Sequence, residues 1–271
     1  MKHSPVVLLL LAALLHAADS SDKTPVPKDL QGIGIDQHLN AQVPLNAQFL
    51  DESGRTVRLG DYLGQRPAIL ALVYYRCTML CSYILSGVVS GLRPLSLHPG
   101  SDFDVIAISI DPSDRPADAK DQQAHYSRAY SAKAGGAGWH FLTGDEKNIR
   151  LVADAVGFHY RYDPKTNMFL HAAGIMVLTP QGKAARYFYG VEFAPKDLEL
   201  GLVEASANRI GSPADQILLY CYHYDPATGK YGAAVMNLLR VAAGGVLAAL
   251  AISLFILWRR DLRRDRLIVH G

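Results

Sequence analysis

This chain has few cysteines and only a small excess of positive charge. Its 271 residues include three cysteines, too few for a disulfide scaffold, and two of them, Cys77 and Cys81, stand four residues apart. That spacing serves local chemistry rather than the joining of distant segments. The formal net charge is +2, and because five arginines crowd the C-terminal tail, the rest of the chain is close to neutral or slightly acidic. This balance argues against nucleic acid as a partner. The five are Arg259, Arg260, Arg263, Arg264 and Arg266.

Internal repeats and low-complexity tracts are also absent from the sequence. Hydrophobic residues make up 49% of the chain and charged residues 19%, which is the composition of a globular protein rather than a disordered one. The length leaves room for one ordinary domain plus additional segments, so a sizeable core can form.

The N-terminus is typical of a secretory signal. Lys2 is followed by an apolar run from Pro5 to Leu15, which is too short to span a membrane comfortably and leads into small residues. We predict a signal peptide over residues 1–18 and an extended, proline-dotted lead-in over residues 19–42. Because Leu15 and His16 stand where a cleavage site prefers a small residue, an uncleaved signal anchor is the alternative.

A second apolar segment lies near the C-terminus. Residues Val241 to Trp258 carry no charge and are rich in Ala, Leu and Gly, which predicts a transmembrane helix within residues 235–258. The basic tail, residues 259–271, should then be cytoplasmic, and the domain should be held on the extracytoplasmic, periplasmic side through a linker over residues 210–234. A buried core helix is the alternative, but it fits poorly with the arginines that follow.

Between these segments, residues 43–209 have the pattern of an α/β domain. Near-continuous apolar runs over residues 67–75 and 103–110 are typical of strands buried on both faces of a sheet. Helical spacing over residues 80–92 links them into a β-α-β unit with Cys77 at the strand-to-helix junction. Further predicted elements are a hairpin over 48–59, helices over 115–134 and 195–209, a helix to Val156 opened by a capping box from Thr143 to Glu146, and strands over 139–142, 158–162, 173–178 and 184–189.

The two cysteines suit either a metal or a disulfide. At a helix start, free backbone N–H groups and the helix dipole favour the thiolate of Cys77. Cys81 follows one turn later, with a Cβ separation of about 5–6 Å in a regular helix, whereas a disulfide needs about 3.5–4.5 Å. Thiolates prefer Cu(I), zinc or iron–sulfur centres, and an added imidazole keeps copper and zinc while disfavouring a cluster. His171, at the end of a predicted loop over 163–170, is our candidate third ligand.

Four motifs occur in order between Val43 and Ala207: the segment from Tyr75 to Cys81, Ile108 to Pro112, Phe141 to Gly144, and His171. Together they resemble the Sco/SenC family of cytochrome c oxidase assembly proteins. The resemblance implies a thioredoxin-like fold, in which helices flank a central mixed sheet, and copper bound as Cu(I) or Cu(II) by Cys77, Cys81 and His171. It also implies a metallochaperone that delivers copper to the dinuclear centre of oxidase subunit II, and it leaves room for a copper donor protein as a second partner.

The chain departs from the family pattern in two ways. Thr78 and Ser82 stand where proline commonly follows each motif cysteine, and the clear anchor is C-terminal rather than N-terminal. The alternative function is a thiol–disulfide oxidoreductase, with Cys77 and Cys81 as its redox pair, that reduces the subunit II cysteines or acts in redox sensing. General reductases of this fold use Cys-x2-Cys, so the x3 spacing favours metal binding over an enzyme. A peroxidase ranks third, because no resolving arrangement is apparent.

Several other residues have two readings each. Cys221 and His223 form a Cys-x-His that fits either a second metal site or, more simply, a buried thiol in an interfacial aromatic segment. Asp111 offers either a carboxylate near the site or a turn. The same two interpretations apply to Asp163. We interpret the two strand histidines, His140 and His159, as structural.

Overall fold

A computed structural model describes residues 32–76, 80–131 and 137–211, and nearer the C-terminus residues 224–225 and 230–231 with the single positions 243, 244, 246, 250, 253, 256 and 259. The chain divides into two compact units, Asp29–Gln216 and a second unit formed by Met1–Lys28 with Ile217–Gly271. The strands are β1 (Gly34–Ile35), β2 (Gln48–Leu50), β3 (Thr56–Arg58), β4 (Ala68–Val73), β5 (Asp104–Ser109), β6 (Trp139–Leu142), β7 (Phe158–Asp163), β8 (Met168–His171), β9 (Gly174–Leu178), β10 (Ala184–Tyr189), β11 (Tyr224–Asp225) and β12 (Lys230–Tyr231). The helices are α1 (Leu80–Leu92), α2 (Pro116–Tyr130), α3 (Glu146–Ala155) and α4 (Pro195–Ser206), and Leu59–Tyr62 forms a 3-10 turn.

The centre of the larger unit is a five-stranded mixed sheet in the order β10-β9-β4-β5-β6. Strands β4, β5 and β6 are parallel, while β9 runs antiparallel to both β4 and β10. Every residue of β4 and β5 is buried, as their continuous apolar runs predict. The α/β fold with a central mixed sheet is therefore confirmed.

Helices cover both faces of this sheet. Alternate residues of β4 enter opposite cores because successive side chains of a strand point to opposite faces: Ile69 lies in one core and Leu70 in the other. Helices α1, α2 and α4 pack on the Ile69 side, and α3 packs on the Leu70 side. The buried helix residues are Ile84, Leu85, Val88, Val89, Leu92, Ala119, Tyr126, Leu198, Leu202 and Ala205 on the first side and Ile149, Val152 and Ala153 on the second.

A second, three-stranded sheet has the order β1-β7-β8. We expected a loop over residues 163–170, but Asp163 and Met168 instead pair as the ends of a β7–β8 hairpin, with Asn167 in the left-handed region at φ 55°. Asparagine tolerates that conformation better than most residues. The lead-in also joins this sheet, because Gly34–Ile35 pairs with β7.

Three helix ends differ from the sequence prediction. Helix α2, predicted over 115–134, ends at Tyr130. Helix α3 begins at Glu146 and is capped by Asp145, whose side chain accepts a hydrogen bond from the Asn148 N–H at 2.7 Å. The predicted Thr143 capping box is therefore wrong, since Asp145 supplies a capping carboxylate two residues later. Helix α4 ends at Ser206 rather than at residue 209, because Asn208 adopts a left-handed φ of 58°.

The described part of the smaller unit contains the antiparallel pair β11–β12 and isolated helical positions from residue 243 onward. Among the described residues, the structure contains no helix that is both long and apolar enough to cross a membrane. The predicted signal peptide over 1–18 lies outside the described residues, as does most of the helix predicted over 235–258. Both remain predictions.

Gly87 on α1 provides a test of how closely this helix packs against the neighbouring backbone. A methyl group at Gly87 would lie 1.9 Å from the carbonyl oxygen of Val191, whereas at Gly201 on α4 the nearest atom is the Phe188 ring edge at 3.1 Å. We expect Gly87→Ala to lower the free energy of unfolding by about 1–3 kcal/mol, because the backbone must move. Gly201→Ala should cost less, since a side chain can move. Urea unfolding that ranked the two variants in the opposite order would contradict this packing.

Asp51 at the β2–β3 turn offers a test by pH. Its side chain is buried and accepts hydrogen bonds from the Ser53 and Arg55 backbone N–H groups, both at 2.9 Å, and from Arg55 Nε at 2.8 Å. Burial raises the pKa of Asp51, but the hydrogen bonds from Ser53 and Arg55 outweigh it and lower the pKa to about 2. The stabilisation by ionised Asp51 is therefore present above about pH 4 and lost as the pH falls towards 2.

We expect Asp51→Asn to lower the free energy of unfolding by about 2 kcal/mol at pH 7, an effect that shrinks on acidification towards pH 2. Urea unfolding of wild type and variant at pH 7, 4 and 2.5 measures this difference. Asp61→Asn is the matched control, because Asp61 also pairs with an arginine, Arg58 at 3.1 Å, but is exposed to solvent. A loss at Asp51 that did not depend on pH would contradict the assignment.

Candidate metal centre

The three predicted ligands fall at two places in the sequence. Strand β4 ends at Val73 and α1 begins at Leu80, so Cys77 falls between the two in the sequence and Cys81 falls within the first turn of α1. Cys77 lies outside the described residues, and Cys81 is the second residue of α1, with its side chain outside the described part. His171 is the last residue of β8. The ligand set of two thiolates and one imidazole therefore remains a prediction.

His171 is a buried histidine, with 9% of its surface exposed. Its ring lies edge-on to Tyr74, with ring centres 6.1 Å apart, and 5.9 Å from the ring centre of Phe158. Nδ1 is 2.9 Å from the carbonyl oxygen of Ala172, and because a carbonyl only accepts, Nδ1 carries the hydrogen. Burial lowers the pKa of His171 despite this hydrogen bond. A lowered pKa favours the neutral imidazole, which is the form that binds metals.

His171 lines a cleft of about 890 Å³. Arg76, the residue directly before Cys77 in the sequence, lines the same cleft, so the described end of the β4 segment and His171 open onto one space. Aromatic side chains cover its wall and contact one another, with the Phe169 ring centre 5.6 Å from Tyr74 and 5.2 Å from Tyr162. Other lining residues are Ile110, Asp111, Pro112, Ser113, Glu146, Arg150, Tyr160, Asn167, Met168 and Leu170.

Two carboxylates hold Arg76 at this edge of the sheet. Nη2 of Arg76 is 2.9 Å from Oδ2 of Asp111, and Nε is 2.7 Å from Oδ1 of Asp114. Asp111 also accepts from the Ser113 N–H at 2.8 Å, so it serves both as a turn residue and as a carboxylate next to the predicted site. Sequence reasoning missed Asp114 and Arg76. The neighbouring charges in Asp-Pro-Ser-Asp after a buried strand were the available signal.

The remaining candidates have structural contacts. Asp163 accepts hydrogen bonds from the Lys165 N–H and the Thr166 hydroxyl in the β7–β8 turn. His140 lies 3.5 Å from Asp104 and His159 lies 3.0 Å from Asp36, as expected of structural histidines. Cys221 and His223 lie outside the described residues. Within the described ranges, no group of three or more histidine, cysteine, aspartate or glutamate side chains could hold a metal ion.

Solved structures share this fold. A crystal structure of a candidate electron transfer protein from Aquifex aeolicus VF5 is 26% identical, with a TM-score of 0.56 over 65% of this chain and 98% of that one. A candidate electron transport protein from the same organism is also 26% identical, with a TM-score of 0.52 over 62% and 99%. A SCO1/SenC family lipoprotein from Bacillus anthracis str. Ames, 14% identical with a TM-score of 0.51 over 62% and 98%, shares the fold.

No curated protein matches the sequence. The SCO1/SenC family, in contrast, matches residues 37–200, which is more than half of the chain and includes both cysteines of Cys-x3-Cys and His171. The sequence resemblance is thus confirmed, and the chain belongs to the SCO1/SenC family.

Proposed function

We propose that this chain binds one copper ion through Cys77, Cys81 and His171 and supplies it to the dinuclear copper centre of cytochrome c oxidase subunit II. The observation that carries the proposal is the placement of His171. It is buried and lies on the wall of the cleft that Arg76, the residue before Cys77, also lines. Membership of the SCO1/SenC family supports the same function.

The donor set fits copper as a cargo. Thiolates are soft ligands that suit Cu(I), and a neutral imidazole suits both Cu(I) and Cu(II). Three protein ligands leave the ion accessible to an incoming thiolate of the partner. Copper can then pass by ligand exchange, in which each new copper–sulfur bond to the partner replaces one to Cys77 or Cys81, with no change in the oxidation state of the metal.

The proposed location follows from the sequence. A C-terminal helix within residues 235–258 would hold the domain on the extracytoplasmic side, because the arginine-rich tail after it favours the cytoplasm. We expect the copper domain of the oxidase to be exposed on that same side. A membrane-anchored chaperone would therefore meet its partner in the same compartment.

The second candidate function is reduction of the subunit II cysteines. One observation favours it: two structures 26% identical to this chain are of candidate electron transfer and electron transport proteins. In this reaction the Cys77–Cys81 dithiol becomes a disulfide. Its two electrons and two protons convert the disulfide of the partner into two thiols.

The copper site can be tested by metal counting. We expect the full chain, purified in detergent without oxygen and supplied with Cu(I), to hold one copper per chain. His171→Ala, Cys77→Ser and Cys81→Ser should each weaken Cu(I) binding by about 100-fold or more in competition with a chromophoric chelator, because direct ligands matter at least as much as their supporting residues.

His159→Ala is the matched control, because His159 lies on the same hairpin and pairs with Asp36 at 3.0 Å. It should bind Cu(I) as wild type does. Unchanged stoichiometry and affinity in His171→Ala would rule out the three-ligand site.

The oxidoreductase alternative requires a separate measurement. Copper-free, reduced protein is mixed with a subunit II copper domain whose two cysteines form a disulfide, and free thiols in each protein are counted over time. If reduction is the function, two thiols appear in the partner for each Cys77–Cys81 disulfide formed, and Cys81→Ser abolishes the exchange. Transfer of Cu(I) to a reduced partner without any exchange of thiols would support the chaperone function instead.

A further inference from the structure

Arginine–aspartate ion pairs lie at both ends of the parallel strands β4 and β5. Arg66, before β4, lies 2.6 Å from Asp104 at the start of β5. Arg76, after β4, reaches Asp111 and Asp114 beyond the end of β5. The first pair lies where β4 begins, whereas the second involves the residue that directly precedes Cys77 in the sequence. The two pairs are alike in chemistry and lie at opposite ends of β4.

Asp114 has a fully buried side chain that accepts hydrogen bonds from three groups of the chain. Its Oδ2 accepts hydrogen bonds from the Tyr75 N–H at 2.8 Å and from the Ser109 hydroxyl at 2.6 Å, and Oδ1 accepts from Arg76 Nε at 2.7 Å. A buried carboxylate without such partners would be strongly unfavourable. The two residues before Cys77 are therefore tied to one immobile group.

Tyr75 is fixed from three further directions. Its carbonyl oxygen accepts from Gln122 Nε2 at 3.0 Å, and its hydroxyl lies 2.8 Å from the carbonyl oxygens of both Ala107 and Leu142. The backbone N–H, the backbone carbonyl and the side chain of this residue are thus all held. The chain leaves the sheet towards Cys77 from a point that cannot shift without breaking several buried hydrogen bonds.

The guanidinium of Arg76 suits this position because of its fork geometry. Nε binds Asp114, while Nη2 binds Asp111 and also contacts the Ser113 hydroxyl. A planar fork holds two carboxylates in fixed directions, whereas a lysine ammonium acts as a single point charge on a flexible stem. The side chain is nonetheless half-exposed and lines the cleft of His171.

We propose that Arg76, held between Asp111 and Asp114, is a positioning residue that fixes where Cys77 stands and thereby sets how tightly the cysteine pair holds copper and how readily it is oxidised. The copper part rests on the proposed function, whereas the oxidation part concerns the two thiols alone. A dithiol whose sulfur atoms are held in position loses less freedom when it binds a metal or closes to a disulfide.

Arg76→Lys is the informative variant, because it keeps the charge that neutralises Asp114 and removes the fork. Arg66→Lys makes the same change against the buried Asp104 at the far end of the same strands. For both variants and wild type, three quantities are measured on the full chain: Cu(I) affinity by chelator competition, the dithiol–disulfide equilibrium of the copper-free protein in glutathione buffers, and urea unfolding.

We expect Arg76→Lys to weaken Cu(I) binding by about tenfold, the scale of a lost supporting contact at a metal site. It should also change the dithiol–disulfide equilibrium constant by about tenfold, which is about 30 mV for this two-electron couple. Arg66→Lys should stay within about twofold of wild type in both quantities, even where its urea midpoint falls as far as that of Arg76→Lys.

Equal effects of the two variants on the equilibrium constant, or no effect of Arg76→Lys, would overturn the proposal. If Arg76→Lys does not fold, Asp111→Asn takes its place, since it weakens one side of the fork and leaves Asp114 paired, and the same change in equilibrium constant is required of it. If wild type binds no copper, the proposed function fails, and the thiol equilibrium still decides whether Arg76 positions Cys77.

Discussion

The pairing of β4 with its neighbours is the constraint from which the rest of the larger unit follows. Six residues of β4 pair in parallel with β5, and three of them also pair antiparallel with β9. A strand with partners on both edges and cores on both faces cannot shift register, because a one-residue slip would exchange its two sets of side chains. Its end is therefore a rigid origin for the cysteine segment, and α1 follows from there.

Buried carboxylates paired with arginine recur at the ends of these elements. Asp51 stabilises the β2–β3 turn, Asp104 the start of β5, and Asp114 the end of β4 and β5. In each case the carboxylate is almost inaccessible while its arginine reaches solvent, which satisfies the carboxylate without burying both charges fully. Asp114 differs from the other two carboxylates because its partner, Arg76, directly precedes Cys77 in the sequence.

His171 depends on a different part of the molecule. The β7–β8 hairpin brings it beside Tyr74 and Phe158, and burial lowers the pKa of the imidazole. The hydrogen bond from Nδ1 to the Ala172 carbonyl fixes the orientation of this ring, which is the predicted third ligand. The predicted ligands thus come from two sheets, one that holds the cysteine segment and one that holds the histidine.

Local pattern in the sequence was sufficient for the elements of the main sheet and for the candidate ligands. The apolar runs identified β4 and β5, helical spacing identified α1, and Cys-x3-Cys together with His171 indicated the family. These features can be recognised from residues close together in the sequence. A strand buried on both faces gives a continuous apolar run, and an amphipathic helix gives apolar residues at helical spacing. The strand β8 was missed since its four residues carry no alternation strong enough to stand out from a loop.

Only the tertiary structure decided the contacts between residues that lie far apart in the sequence. Arg76 meets Asp111 and Asp114 across 35 and 38 positions, and Gln122 meets Tyr75 across 47. No local pattern encodes such meetings, because they arise from the crossover that brings the ends of two parallel strands to one edge of the sheet. The sequence by itself determined the family and the candidate ligands, and the fold decided which carboxylates hold Arg76, the residue before Cys77.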